Sequence, residues 1–192
     1  EGNNISNPKE SNKTPRSLNS TTEMESLTES INLTDGEALY QYAIKIKDKS
    51  VQKSNFYMKK SAELGYIKGQ IEYGKILLDE FPDDPNEIEE GYQSNEETNR
   101  SSENNWKLNE IYAARYFKSA AIKDDPEGLY LYGRCLYYGI GVRHDYTKAA
   151  KYLQRAAMKG DKDGQYLFAL CLKEGNGVPQ NIPMAIKYFK EA

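Results

Sequence analysis

The sequence is poor in the residues that most often carry chemistry. Its 192 residues include two cysteines, one histidine and one tryptophan. Two cysteines cannot build a disulfide-dense secreted scaffold, and with a single histidine they cannot complete a four-ligand structural zinc site. No apolar run approaches the ~18 residues of a membrane span, so direct membrane insertion is not expected. The first residues lack the basic-then-apolar layout of a signal peptide, which together with the scarce cysteine points to a cytoplasmic setting. An excess of positive charge is missing too: 26 Lys and Arg meet 29 Asp and Glu, a net charge of −3, which speaks against nucleic acid. One residue is in excess instead. Tyrosine occurs 16 times, against five phenylalanines.

The averages hide three different materials. Residues 1–35 are rich in Asn, Ser and Thr and contain no aromatic side chain, so this tail cannot bury enough surface to offset its ordering entropy and is expected to be disordered. Residues 81–110 hold nine acidic side chains against Arg100 and Lys107, with Pro82 and Pro85 near the start. They read as a polar, acidic insert. The remainder, 36–80 and 111–192, holds 15 of the tyrosines and is basic, with 21 Lys and Arg against 14 Asp and Glu.

That basic body repeats. Tyr116, Tyr152 and Tyr188 are 36 residues apart, as are Ala113, Ala149 and Ala185; Gly128 recurs as Gly164 and Cys135 as Cys171. An earlier copy lies 59 residues upstream, with Tyr57 for Tyr116 and Gly69 for Gly128. The excess of 23 residues matches most of the acidic stretch, which therefore interrupts one repeat. The expected boundaries are a tail at 1–35 and a repeat domain at 36–192. Its repeats lie near 36–67, 68–126 (with the insert at 81–110), 127–162 and 163–192, the last truncated.

Each repeat reads as two helices. Leu129, Tyr132, Gly133 and Leu136 mark one face of a first helix, and Ala149, Ala150, Leu153, Ala156 and Ala157 mark one face of a second. Ser50, Asn109, Asp145 and Asn181 precede the second helix in the four copies, and each can accept a bond from a free N–H at a helix start. Asp125-Pro126 offers a cap followed by proline at the first helical position, and Gly65 and Gly160 stand where left-handed residues end helices. Small residues at Gly74 and Gly133 let paired helices approach closely.

The run Leu129-Tyr-Leu-Tyr-Gly133, Gly139-Ile-Gly-Val142, Lys148-Ala-Ala-Lys-Tyr152 and Ala156-Ala157, followed by Gly175-Asn-Gly-Val178, Ala185 and Tyr188, resembles the Sel-1-like repeat, a short relative of the tetratricopeptide repeat. The first copy lacks the G-x-G-V turn. The resemblance implies an all-α, right-handed α-solenoid of about four helix-turn-helix repeats whose first helices line a concave surface, and an adaptor or scaffold role. Family settings include membrane-protein quality control, activation of fungal chitin synthase, bacterial signalling and repeats joined to kinase domains. Secreted relatives with disulfides carry two cysteines in each repeat, which this chain does not.

The two G-x-G-V turns follow helices, not strands, and recur with the repeat, so they read as interhelical turns and not phosphate loops. Cys135 and Cys171 read as reduced, buried side chains, and His144 as a solvated loop residue without a nucleophile to serve. No catalytic, cofactor or metal residues are assigned. Tyr130, Arg134 and Tyr137 fall at i, i+4 and i+7, off the small-residue face. Their counterparts by register are Tyr40, Ile71, Lys75, Leu78, Tyr166, Leu170 and Lys173. If the family's concave surface carries over, Tyr40, Lys75, Tyr130, Arg134, Tyr137, Tyr166 and Lys173 form its partner-binding set, since Tyr and Arg combine contact area with hydrogen bonding.

The expected function is a non-enzymatic scaffold that binds a protein or peptide on its concave helical surface, with no small-molecule substrate. Because the chain ends inside a hairpin, the alternative is a regulatory repeat segment of a larger enzyme, such as a kinase, or an activator subunit of a membrane enzyme complex such as chitin synthase.

Overall fold

Polar side chains at helix starts and left-handed residues at helix ends divide the chain into short helices. The structure, a computed structural model, describes residues 32–79 and 96–192, with side chains from 106 onward in the second stretch. The acidic stretch 81–95 and nearly all of the tail lie outside the described residues. The described chain is helical, without strands: α1 (Gly36–Ile46), α2 (Val51–Glu63), α3 (Ile67–Asp79), α4 (Glu96–Ile122), α5 (Pro126–Tyr138), α6 (Tyr146–Met158), α7 (Lys162–Glu174) and α8 (Ile182–Glu191). Successive pairs form four hairpins, and each hairpin packs its second helix against the first helix of the next.

The caps explain the boundaries. Asp145 Oδ1 accepts from the Lys148 N–H at 2.9 Å, Asn181 Oδ1 from Met184 at 3.0 Å and Ser50 Oγ from Lys53 at 3.4 Å, so three second helices start where their caps stand. Asp35, Asp125 and Asp161 do the same for α1, α5 and α7. Asn109 is the exception. It lies inside α4, which begins at Glu96, so the second helix of this copy does not start where its capping-type residue stands. No glycine or proline falls between 96 and 122 to end a helix, and a cap-type residue caps only where the chain before it leaves the helix.

Two kinds of close crossing build the core. Within hairpins, Gly74 lies beneath the Phe117 ring and Gly133 against Leu153; between hairpins, Gly128 faces Ala120 and Gly164 faces Ala156. Around these crossings Phe117, Leu129, Leu153 and Phe168 are almost wholly buried. Buried polar groups bridge helices. Ser54 Oγ donates to the Ala43 carbonyl at 2.9 Å, and Ser61 Oγ to the Gly36 carbonyl at 2.5 Å. Gln70 and Gln165 share a repeat position, and each donates Nε2 to a carbonyl near the end of the preceding second helix, Ala62 at 3.4 Å and Ala157 at 3.3 Å.

The second glycine of each G-x-G-V turn has a backbone task. Gly141 (φ +63°) lies on the main chain at Glu110 and Ile111, and Gly177 (φ +74°) on the main chain at Tyr146 and Thr147, so close that any Cβ would strike those carbonyls. The turn thus rests on the second helix of the previous repeat. Glu110 and Tyr146 are 36 residues apart, so the contact repeats although α4 runs on towards Glu96.

Left-handed residues link neighbouring hairpins on another edge. Gly65 and Gly160 have φ +83° and +84° as expected, and the equivalent position is taken by Asp124 at +61°. The Asp124 carboxylate receives Arg155 Nη2 and Lys159 Nζ of the next repeat, each at 2.7 Å, and these two hold its pKa below the ordinary carboxylate value, Lys159 foremost. Lys123, 36 residues before Lys159, donates in the same manner to the Gly65 carbonyl.

Candidate protein-interaction surface

The outer side chains of the first helices meet one another across repeat boundaries. Near the start, Tyr40 on α1 stacks at a tilt on Tyr66, with ring centroids 5.4 Å apart, and Tyr66 Oη donates to Glu37. Lys75 on α3 lies between Glu72, at 3.0 Å on its own helix, and Glu127, at 2.5 Å on α5. Burial disfavours the Lys75 ammonium, but the hydrogen bonds to Glu127 and Glu72 outweigh it and raise its pKa. Burial, and then the Glu72 charge, raises the pKa of Tyr40, which places Tyr40 and Lys75 in one electrostatic neighbourhood.

Towards the other end, the Arg134 guanidinium lies 5.7 Å from the Tyr130 ring centre, and its Nε is buried without a hydrogen-bond partner among the described residues. Tyr137 donates its hydroxyl to Glu174 at 3.1 Å and accepts from Asn176 Nδ2 at 3.0 Å, which joins α5 to α7 and the turn beyond it. Burial is the main cause that pushes the Tyr137 hydroxyl up to about 12. Tyr166 is half exposed with its ring 5.5 Å from Phe189, and Lys173 is exposed.

The seven residues singled out by spacing do not form one uniform strip. Tyr40 and Lys75 come together at one end, Tyr130 and Arg134 share α5, and Tyr137 belongs to a separate cluster with Glu174. Ile71, the counterpart of Tyr130, is 3% exposed and part of the core. Its short side chain ends within its neighbours, whereas a tyrosine at that position reaches past them. Leu78 and Leu170 are partly buried against the core. The carboxylates of Glu37, Glu127 and Glu174, which organise the clusters, were missed because their partners sit on other elements of the chain. Glu72, however, three residues before Lys75, was open to the helical-pair rule.

The remaining candidates are plain. Cys135 and Cys171 are free and buried, and burial pushes both thiols up to about 12. His144 is exposed, with its ring centre 4.0 Å from that of Tyr146. Among the described residues no three His, Cys, Asp or Glu converge as a metal site, and no helix is long and apolar enough to cross a membrane.

Stacked helical hairpins with this turn on a fixed period are matched by one family model. The Sel1 repeat fits residues 36–66, 107–125, 126–161 and 162–192, more than half of the chain. The chain belongs to the Sel1 repeat family. Sel1 repeats serve in general as protein-interaction scaffolds and are typically non-catalytic. The fold agrees. A solved Sel1 repeat protein from Oxalobacter formigenes is similar with a TM-score of 0.63 at 19% identity, over 88% of this chain and 60% of that one. A protective antigen of uropathogenic Escherichia coli strains, described as displaying an SLR fold, gives 0.47 at 21% identity, over 88% of this chain and 39% of that one. The chain thus spans less than two thirds of either structure's length. No curated protein matches the sequence.

Proposed function

We propose that the repeat domain binds a protein or peptide along the outer face of its first helices, with Tyr40, Lys75, Tyr130, Arg134, Tyr137, Tyr166 and Lys173 as contact residues. The observation that carries this is the joining of outer side chains across repeats: Lys75 with Glu127 ties α3 to α5, and Tyr137 with Glu174 ties α5 to α7. Side chains held by neighbours lose little further freedom when a partner arrives, which favours affinity. The half-exposed Tyr166 supplies contact area together with a hydroxyl.

A peptide-display selection on the immobilised chain tests the reading. Selected peptides should lose binding at least tenfold to Tyr166→Ala combined with Lys173→Glu, a pair at the exposed end of the face, while helicity by circular dichroism is unchanged. Peptides that bind this variant as well as the parent would place the contact surface elsewhere.

A further inference from the structure

The first and second helices differ in charge. Six Lys and Arg on the four first helices are balanced by six Asp and Glu. The solvent-facing positions of the second helices are not balanced. One register position carries Phe56, Arg115, Lys151 and Lys187, its neighbour Lys53, Tyr112, Lys148 and Met184, and the next turn Lys59, Lys118, Gln154 and Lys190. All of these side chains are exposed. Counting every exposed position of α2, α4 from 106 onward, α6 and α8, nine lysines and two arginines stand against Glu63 and Glu191, with Glu110 partly buried. Glu63 and Glu191 pair with Lys59 and Lys187 on their own helices. Arg155 is engaged by Asp124 and Lys148 by Asp145.

Large apolar side chains project among these cations. Ile122 is 70% exposed and Met158, 36 residues on, is 74% exposed, both in the last turn of a second helix; Phe56 is 53% exposed. A solvated face needs no such tips.

We propose that this face of the second helices docks on an anionic lipid surface, separately from the protein-binding face of the first helices. Each second helix packs against the first helix of its own repeat and, except for the last, that of the next, so the cations are spread over successive repeats and not gathered in a groove. Aliphatic tips between lysines suit the boundary of headgroup and acyl chain, whereas a phosphate backbone gives them nothing to enter. Lysine outnumbers arginine nine to two there, and its point charge suits diffuse headgroup charge more than the forked recognition of individual phosphates or bases. The aromatic rings are already covered by cations, Phe56 by Lys60 at 5.6 Å and Tyr112 by Arg115 at 5.8 Å, so they are not free platforms for bases.

The test is vesicle co-sedimentation of the full chain with phosphatidylcholine alone and with phosphatidylcholine containing phosphatidylserine. The mixed vesicles should bind the chain, less so as salt is raised, and the neutral vesicles should not. Substituting Lys53, Lys60, Lys118 and Lys151 together by Gln should weaken binding by about a hundredfold or more, at roughly fivefold per charge. Lys68→Gln with Lys173→Gln, on the first helices, should leave it unchanged. Ile122→Ser with Met158→Ser should weaken the binding that survives at high salt. Circular dichroism confirms folding of each variant, all of whose changes are at exposed positions. Equal binding to neutral vesicles, no binding to the mixed ones, or a loss under tenfold in the four-lysine variant would overturn the proposal. So would tighter binding to a duplex or single-stranded oligonucleotide that depends on the same lysines.

Discussion

Glycines with the same sign of φ do different work in this chain. Gly160 has φ +84° and open space where a Cβ would stand, while Gly141 and Gly177 press on a neighbouring helix backbone. Gly160→Ala therefore meets only the cost of a left-handed alanine, about 1 kcal/mol. Gly141→Ala or Gly177→Ala must also push apart two main chains that cannot yield as a side-chain tip can. Each should cost roughly 2–4 kcal/mol, the left-handed cost plus that of overpacking. Urea unfolding of the three variants measures the difference, and equal losses would show that the turn does not rest on the helix. The G-x-G-V spacing is visible in the sequence. The task of its second glycine is not, because the main chain it touches lies more than 30 residues earlier.

At the scale of the helix, capping was largely legible and still failed once. Ser50, Asp145 and Asn181 stand at helix starts as their residue types suggest, but Asn109 does not, because the residues before it already form α4. Caps of one residue type also titrate in opposite senses. Hydrogen bonds from Lys148, backbone first and then side chain, lower the pKa of Asp145, whereas burial, only partly offset by the Gly164 N–H, raises that of Asp161. A lowered pKa gives stability that is present above the unfolded value and lost as pH falls through the folded one. A raised pKa works against the fold at neutral pH, and this is relieved as pH falls towards the unfolded value. Asparagine keeps the capping oxygen in both places. Asp145→Asn should therefore melt below the parent at neutral pH, and Asp161→Asn level with it or above. The Asp161 difference should fade as pH falls to the ordinary carboxylate value of about 4, whereas that of Asp145 should begin to fade only there and vanish beneath its own lowered pKa. Melting curves by circular dichroism across that range test the signs.

Across the whole molecule, the repeat made the solenoid readable and left its surfaces only half so. Self-similarity at 36 residues located the hairpins, since each copy must present the same small residues at the same crossings. The surfaces were harder. Tyr40, Lys75 and Tyr137 were marked by spacing along one helix, yet their partners Tyr66, Glu127 and Glu174 come from other elements, at distances no periodicity records. The basic face of the second helices was likewise hidden in a segment-by-segment charge count, which adds both faces of the solenoid together. The buried thiols offer a check on the stacking itself. Cys135 and Cys171 occupy equivalent places on α5 and α7, buried and held protonated, so neither should react with Ellman's reagent at mildly alkaline pH while the repeats are closed. Both should label at a common rate in denaturant; rapid labelling of one in native buffer would show its repeat opening alone.

The glycine contacts have a consequence for variation. Repeats here are joined by main chain on main chain, at Gly141 and Gly177, and by glycine on alanine, at Gly128 and Gly164. Lys75, Tyr137 and Arg155 add side-chain links between repeats, but the exposed Lys53, Lys118 and Lys151 of the second helices take no part in that joint. A chain built this way can exchange those lysines without disturbing its own assembly. The two proposed contact faces can therefore change independently of one another, on a scaffold whose glycines stay fixed.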